Sequence, residues 1–97
     1  MRILSRRTLR EFWNNHADCK DQLQTWYRET EKSSWKNIND LKVEYPNASI
    51  LKDKKIVFNI KGNKYRLIVK VNFEFQITWV RFIGTHAECN KINANEL

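Results

Sequence analysis

The sequence predicts an α+β fold, with N-terminal helices packed on one face of a small antiparallel β-meander and a short C-terminal helix. Three observations predict it. Apolar residues recur at helical spacing before Pro46, they alternate with polar residues after it, and a helix-capping sequence follows the last strand. The 97 residues suit one domain over residues 1–97 with a single small core.

The composition excludes several classes of protein. A content of 41% hydrophobic residues with four tryptophans is too apolar for a disordered chain. Two glycines and one proline exclude collagen-like and low-complexity sequences, and two cysteines are too few for a disulfide scaffold. No apolar run has the length of a signal peptide or a membrane span, so we expect a cytoplasmic protein that does not contact membranes. Cys19 and Cys89 are then expected as reduced thiols, and their spacing from the histidines predicts neither a metal site nor a cofactor.

The first half of the chain predicts three helices after a short edge strand at Ile3 and Leu4. Ser5 is a suitable N-cap for a helix to about Asn14, and a second helix is expected over residues 18–32. A third, shorter helix is expected after Ser33 or Ser34, and Pro46 ends it. The apolar stripes of the three helices comprise Leu9, Phe12, Trp13, Cys19, Leu23, Trp26, Tyr27, Trp35, Ile38, Leu41 and Tyr45.

The second half predicts three strands, over residues 56–60, 65–73 and 77–83. The sequence KGNK between the first two is typical of a hairpin turn. In the second strand, alternation directs Tyr65, Leu67, Val69, Val71 and Phe73 to one face, and Arg66, Ile68, Lys70 and Asn72 to the other. Residues 85–88 (THAE) form a capping box for a helix to about Asn93, which a polar tail follows.

The net charge of +7 favours a polyanion, and above all a nucleic acid, as the binding partner. The excess lies between Lys52 and Lys70, where seven basic residues face Asp53 alone. Lys52, Lys54 and Lys55 are explained by solvation and by protection of a sheet edge.

Two arginines lie within strands. Arg66 is expected to bind phosphate, because a half-open face disfavours an unpaired arginine and its planar guanidinium matches phosphate. For Arg81 two hypotheses stay open: a phosphate contact, or an ion pair with a helix acid such as Glu29 or Glu31. Trp79 is expected to pack in the core.

His86 follows the last strand and opens the last helix. The positive end of the helix dipole favours a neutral imidazole, which can act as a general base and, once protonated, as a general acid. A surface or capping role is the alternative. His16 lies in the turn between the first two helices, where we expect only a structural role away from the basic strands.

Two segments resemble the HigB-type toxins of bacterial toxin–antitoxin systems. Residues 80–92 (VRFIGTHAECNKI) are similar to the family's C-terminal pattern GTHAEYDKI, and residues 57–67 (VFNIKGNKYRL) resemble its hairpin pattern VFNIGGNKYRL. The N-terminal half matches by layout, so the resemblance covers nearly the whole chain. It implies a RelE-like fold and an endoribonuclease that cuts messenger RNA on translating ribosomes, without a metal, and is neutralised by a cognate helix-turn-helix antitoxin.

The resemblance assigns catalysis to Arg66 and His86, with Lys64 as a phosphate contact. We extend the expected RNA contacts to Lys61, Lys70 and Arg81. In this chemistry the RNA's own 2′-hydroxyl attacks the phosphate, so the site must supply a base, an acid and a cation. His86 could supply base or acid, and Arg66 the cation.

The chain departs from the family pattern at Cys89, where tyrosine is usual, and at Asn90, where aspartate is usual. Either the tyrosine is dispensable and Cys89 is a small buried residue, or the chain is a weakened toxin. Two further hypotheses compete with the nuclease: a non-catalytic module that binds RNA or the ribosome, and an interaction protein that mainly binds an antitoxin.

Overall fold

The structure, a computed structural model, describes residues 1–93 and residue 97. Within these residues, four helices and five strands follow one another, with a 3-10 turn before α2 and another before β3. In chain order they are β1 Arg2–Leu4, α1 Arg6–Asn15, α2 Lys20–Lys32, α3 Ile38–Glu44, β2 Ser49–Ile50, β3 Lys55–Ile60, β4 Tyr65–Asn72, β5 Ile77–Thr85 and α4 His86–Asn90. The predicted polar tail lies largely outside the described residues. No helix in the described part of the chain combines the length and the apolarity that a membrane span requires.

The helices form where the apolar spacing predicts them, but two of their caps differ from expectation. Ser5 precedes α1 in a left-handed conformation, and its side chain makes no capping hydrogen bond. Ser33 ends α2 instead of starting α3, because its hydroxyl donates to the Glu29 carbonyl one turn back. Asn37 caps α3 by accepting a hydrogen bond from the Asp40 N–H, so that helix begins later than predicted.

The five strands form one mixed sheet in the order β1-β5-β4-β3-β2. The predicted meander is β3-β4-β5, and both of its strand pairs are antiparallel. The edge strand expected at Ile3 and Leu4 is β1, which pairs with β5 in parallel. Strand β2 was not predicted from the sequence, and its two residues extend the other edge of the sheet.

Alternation along β4 places its side chains on the two predicted faces. One face carries Leu67 and Val69 into the main core, where they pack with apolar residues of α1, α2 and α3. Buried aliphatic side chains of this kind each contribute about 1.5–3 kcal/mol to folding. The other face carries Ile68, which is fully buried with Val57 of β3 and Cys89 of α4.

Helices therefore cover both faces of the sheet, whereas the sequence predicted helices on one face. The N-terminal helices pack on the main core, and α4 covers a smaller apolar cluster on the opposite side. The reason is that Ile68 and Phe82, directly opposite each other on β4 and β5, present apolar surface on the second face. This second face also carries Arg66, so α4 lies beside the predicted catalytic residue.

Candidate active site

The structure brings Arg66 and His86 into direct contact. Arg66 lies on β4 opposite Gly84 of β5, and the chain leaves β5 at Thr85 to begin α4 at His86. The backbone N–H of His86 donates to the Lys64 carbonyl at 3.2 Å, which fixes the start of α4 against β4. As a result, Nη2 of Arg66 lies 2.5 Å from Nε2 of His86.

This contact determines the tautomer of a neutral His86. Arginine has only donors, so Nε2 must accept the hydrogen bond from Arg66 and the ring proton must lie on Nδ1. The side-chain amide of Asn90 lies beside Nδ1, with Nδ2 at 3.3 Å. The Nδ1–H needs an acceptor, and a half-turn of that amide would place its oxygen there. Asn90 can therefore orient the imidazole from the position where the family usually has aspartate.

The capping box at the start of α4 is present as predicted. The Glu88 N–H donates to Oγ1 of Thr85 at 3.1 Å, and the Thr85 N–H donates to Oε1 of Glu88 at 2.8 Å. The hydrogen bond from the Thr85 backbone is the main cause that lowers the pKa of Glu88. Gly84 leaves the necessary space, because a Cβ there would lie 2.6 Å from Cζ of Phe82 and 3.2 Å from Oε1 of Glu88.

The guanidinium of Arg66 carries a charge that no carboxylate neutralises among the described residues. Its hydrogen-bond partner is the His86 imidazole, and its Nε is buried without a partner in the described part of the chain. A partly buried cation without a counter-ion loses some hydration, and an anionic ligand that accepts hydrogen bonds offsets that loss. Arg66 is thus arranged to receive an anion beside an imidazole.

Lys61 and Lys64 are two of the predicted phosphate contacts. Both lie against Asp18, which belongs to the 3-10 turn before α2. Nζ of Lys64 donates to Oδ2 of Asp18, and Nζ of Lys61 lies 3.6 Å from the same oxygen. Lys61 also donates to the Asp18 carbonyl at 3.1 Å. In this structure both ammonium groups are therefore engaged by Asp18, and their contact with RNA stays a prediction.

Asp18 also binds Tyr65, and neither residue was singled out from the sequence. The Tyr65 hydroxyl donates to Oδ1 of Asp18 at 2.7 Å. The hydrogen bonds from Lys64 and then Tyr65 hold the pKa of Asp18 well below its ordinary value, and Asp18 in turn raises the pKa of each donor. Because Tyr65 precedes Arg66 and the Lys64 carbonyl holds His86, this cluster anchors the β-hairpin end next to the Arg66–His86 pair.

Lys70 and Arg81, the other predicted RNA contacts, form no hydrogen bond with Arg66 or His86 in the described part of the chain. Lys70 is two same-face positions beyond Arg66 on β4, about 13 Å along an extended strand. Arg81 is the extra residue of a β-bulge, and it is exposed without an acidic partner among the described residues. The ion pair with Glu29 or Glu31 is therefore not formed, whereas the RNA contacts are untested.

Two expectations about aromatic residues were wrong. Trp79 lies opposite Lys70 on the second face, half-buried and outside both apolar clusters of the described residues. His16 is not remote from the basic strands, because its ring stacks on Phe12 and meets the Tyr65 ring edge-on at 5.6 Å. Its ring Nδ1 is also within 3.2 Å of the Phe12 carbonyl, so His16 belongs to the support of β4.

Cys89 is a small buried residue at the usual tyrosine position, as one of the two hypotheses expected. It packs with Val57 and Ile68 in the second cluster, and only 8% of its surface is exposed. Cys19 is buried too, and both carry free thiols. Burial is the main cause that raises the pKa of Cys19. Neither cysteine contributes a group to the Arg66–His86 pair in this structure.

Comparisons with known proteins show the family of this chain. Over 90 residues the chain is 29% identical to the mRNA interferase toxin HigB of Escherichia coli strain K12 and to the mRNA interferase HigB of Shigella flexneri, covering 91% of this chain and 86% of each relative. It is 26% identical over 94 residues to the mRNA interferase HigB of Escherichia coli O6:H1, covering 95% of this chain and 91% of that protein. Residues 19–92 match the HigB toxin family, described as the RelE-like toxic component of a toxin-antitoxin system. This chain belongs to that family.

Proposed function

We propose that the chain is a toxin that cuts messenger RNA on translating ribosomes in the cytoplasm, and that a cognate helix-turn-helix antitoxin neutralises it. The observation that carries the proposal is the Arg66–His86 contact, an unneutralised guanidinium held 2.5 Å from an imidazole nitrogen. The similarity to proteins named mRNA interferases supports messenger RNA as the substrate. The net charge of +7 supports a polyanionic partner.

The proposed reaction begins when a phosphate of the RNA accepts hydrogen bonds from Arg66. The guanidinium then turns from His86 towards the phosphate oxygens, which frees the lone pair on Nε2 of His86. As a base, His86 takes the proton of the 2′-hydroxyl, and the resulting oxygen attacks phosphorus. Arg66 stabilises the negative charge that accumulates on the phosphorane.

The bond from phosphorus to the 5′-oxygen then breaks, the leaving oxygen takes a proton from water, and His86 returns its proton to the resulting hydroxide. The products are a 2′,3′-cyclic phosphate and a 5′-hydroxyl end, so atoms and charge balance without a redox partner. In the alternative, a protonated His86 donates the proton to the leaving oxygen, and water accepts the proton of the 2′-hydroxyl. Ribosomal positioning of the RNA would explain why so few catalytic groups suffice.

The test is a map of messenger-RNA 5′ ends after the purified chain is added to a translating extract and, separately, to the same RNA without ribosomes. We expect new ends within the reading frame only in the translating sample. Cuts in both samples would refute ribosome dependence. RNA binding with no cuts in either sample would instead favour the non-catalytic binding module.

A further inference from the structure

A groove of about 850 Å³ lies on the side of the molecule formed by α2, the segment between α3 and β2, and β3 with its hairpin. We call it the α2–β3 groove. Its apolar lining includes Trp26, Phe58 and Ile60, which are almost fully buried, and the half-buried Tyr45. Arg66 and His86 are not among the residues that line it. The proposed nuclease chemistry therefore leaves this groove unexplained.

The groove is acidic, although the protein as a whole carries a net charge of +7. Asp21, Glu29 and Glu44 line it, and none of the three forms an ion pair within the described residues. Glu29 accepts a hydrogen bond from the Tyr45 hydroxyl, and Oε2 of Glu44 lies 3.1 Å from the Ser33 hydroxyl, so both neighbouring groups are neutral. The ammonium of Lys61, which also lines the groove, is held by Asp18.

This charge selects between possible occupants. RNA is disfavoured in the groove, because the three carboxylates without ion-pair partners in the described part of the chain repel phosphates. A cationic partner is favoured for the same reason. The apolar lining requires that the partner also carry a side chain that leaves water on binding, which points to a protein segment rather than a metal ion or a polyamine.

Trp26 supplies a second, independent observation. Only 2% of its surface is exposed, yet its indole Nε1–H has no hydrogen-bond partner among the described residues. A buried donor without an acceptor costs free energy, and native structures leave few of them. Because Trp26 lines the groove, we take an acceptor on a bound segment as the partner that this donor lacks.

We propose that the α2–β3 groove binds a segment of the antitoxin that carries an apolar anchor residue flanked by lysine or arginine. The inference rests on the proposed function only in taking the partner to be the antitoxin. The groove volume lies in the range of pockets that enclose small ligands or a few side chains, so it suits a short segment. The antitoxin would then bind outside the Arg66–His86 pair.

The test measures binding of the antitoxin encoded beside this chain by titration calorimetry at two salt concentrations. The variant is Asp21→Lys with Glu29→Lys, and the matched control is Glu31→Lys with Glu74→Lys, which makes the same charge change at exposed positions outside the groove. We expect Kd to rise at least tenfold for the groove variant and less than threefold for the control. The milder pair Asp21→Asn with Glu29→Gln keeps a hydrogen-bond acceptor for Tyr45, and we expect an intermediate rise in Kd.

Equal affinity of the antitoxin for all variants would overturn the proposal. Sedimentation of the free toxin tests a second copy of the chain as the occupant, and a dimer that the groove variant dissociates would also overturn it. RNA cleavage in the translating extract is measured in parallel, and we expect all variants to retain it. If no variant cleaves RNA but only the groove variant loses antitoxin affinity, the docking site stands and the nuclease proposal fails.

Discussion

Arg66 and His86 are twenty positions apart in the chain, yet Nη2 of Arg66 lies 2.5 Å from Nε2 of His86. Two features produce the contact: the β4–β5 register places Arg66 opposite Gly84, and the Thr85–Glu88 capping box starts α4 immediately afterwards. The imidazole holds the guanidinium in place without neutralising it. The free protein therefore keeps a cation and an imidazole together, and in the proposed mechanism an anionic phosphate separates them.

The first prediction concerns this pair. His86→Ala should lower the rate of messenger-RNA cleavage by about 100-fold or more, which is the usual contribution of a positioned acid or base. Arg66→Lys should also lower it strongly, because an ammonium lacks the planar pair of donors that fits phosphate. Initial rates in the translating extract provide the measurement. Arg7→Ala is the control, since Arg7 is exposed and pairs with Glu11; unchanged rates for His86→Ala would argue against a catalytic role.

The second prediction distinguishes Lys70 and Arg81, which form no ion pair among the described residues, from Lys64, which binds Asp18. In a plot of log affinity against log salt concentration, removing one cation that binds a phosphate should reduce the slope by about 0.7 for single-stranded RNA. The double variant Lys70→Ala with Arg81→Ala should therefore flatten it by about 1.4 in titrations with a short RNA. Lys64→Ala should change it less, because Asp18 offsets the charge of Lys64. The assignment fails if the Lys64 variant gives the larger change.

The third prediction is a dependence of stability on pH. Because the folded state holds the pKa of Asp18 below its unfolded value of about 3.9, the ionised carboxylate stabilises the fold. That stabilisation is fully present above the unfolded pKa and is lost as the pH falls towards the folded pKa. Asp18→Asn should therefore be less stable than wild type at pH 7, and the gap should narrow below about pH 4.

Urea unfolding at several pH values measures this gap. Asp21→Asn is the matched control, since it removes a carboxylate close by in α2 and leaves the bonds of Asp18 to Lys64 and Tyr65 intact. A gap for Asp18→Asn that stays constant from pH 7 to pH 3 would show that the cluster contributes no charge-dependent stability.

The fourth prediction concerns the departure from the family pattern. Cys89 is enclosed by Val57 and Ile68, so a tyrosine ring has no prepared space there. Cys89→Tyr should reduce the free energy of unfolding by about 1–3 kcal/mol, as overpacking usually does. It should not accelerate cleavage. Cys89→Ala serves as the control for removal of the thiol, and faster cutting by the tyrosine variant would show that the chain is a weakened toxin.

Periodicity was sufficient to predict most of the fold. The stripe through Leu9 and Trp13 and the alternation through Leu67 and Val69 each describe one element that buries one face, and such patterns are local. Periodicity did not predict the parallel pairing of β1 with β5 or the two-residue strand β2, because short edge strands carry little pattern. Ser5 misled the prediction because a suitable capping residue does not fix its own backbone conformation.

The sequence predicts which residues form the candidate site, but it does not predict how they lie relative to one another. Arg66 and His86 stood out through their chemistry and through the family resemblance, whereas their contact depends on strand register. The bulge at Arg81 shifts that register by one residue, and no residue pattern indicates it. The link from Asp18 to Tyr65 spans 47 positions, so nothing local in the sequence predicts it.

The most direct measurement uses a messenger RNA with a single 2′-deoxynucleotide at a mapped cut. In the proposed mechanism the 2′-hydroxyl is the nucleophile, and Arg66 and His86 act on it and on the phosphate. We therefore predict that cleavage at that position is abolished, that neighbouring cuts persist, and that unmodified RNA yields 2′,3′-cyclic phosphate ends. Undiminished cleavage at the deoxy position, or 5′-phosphate ends, would contradict this mechanism.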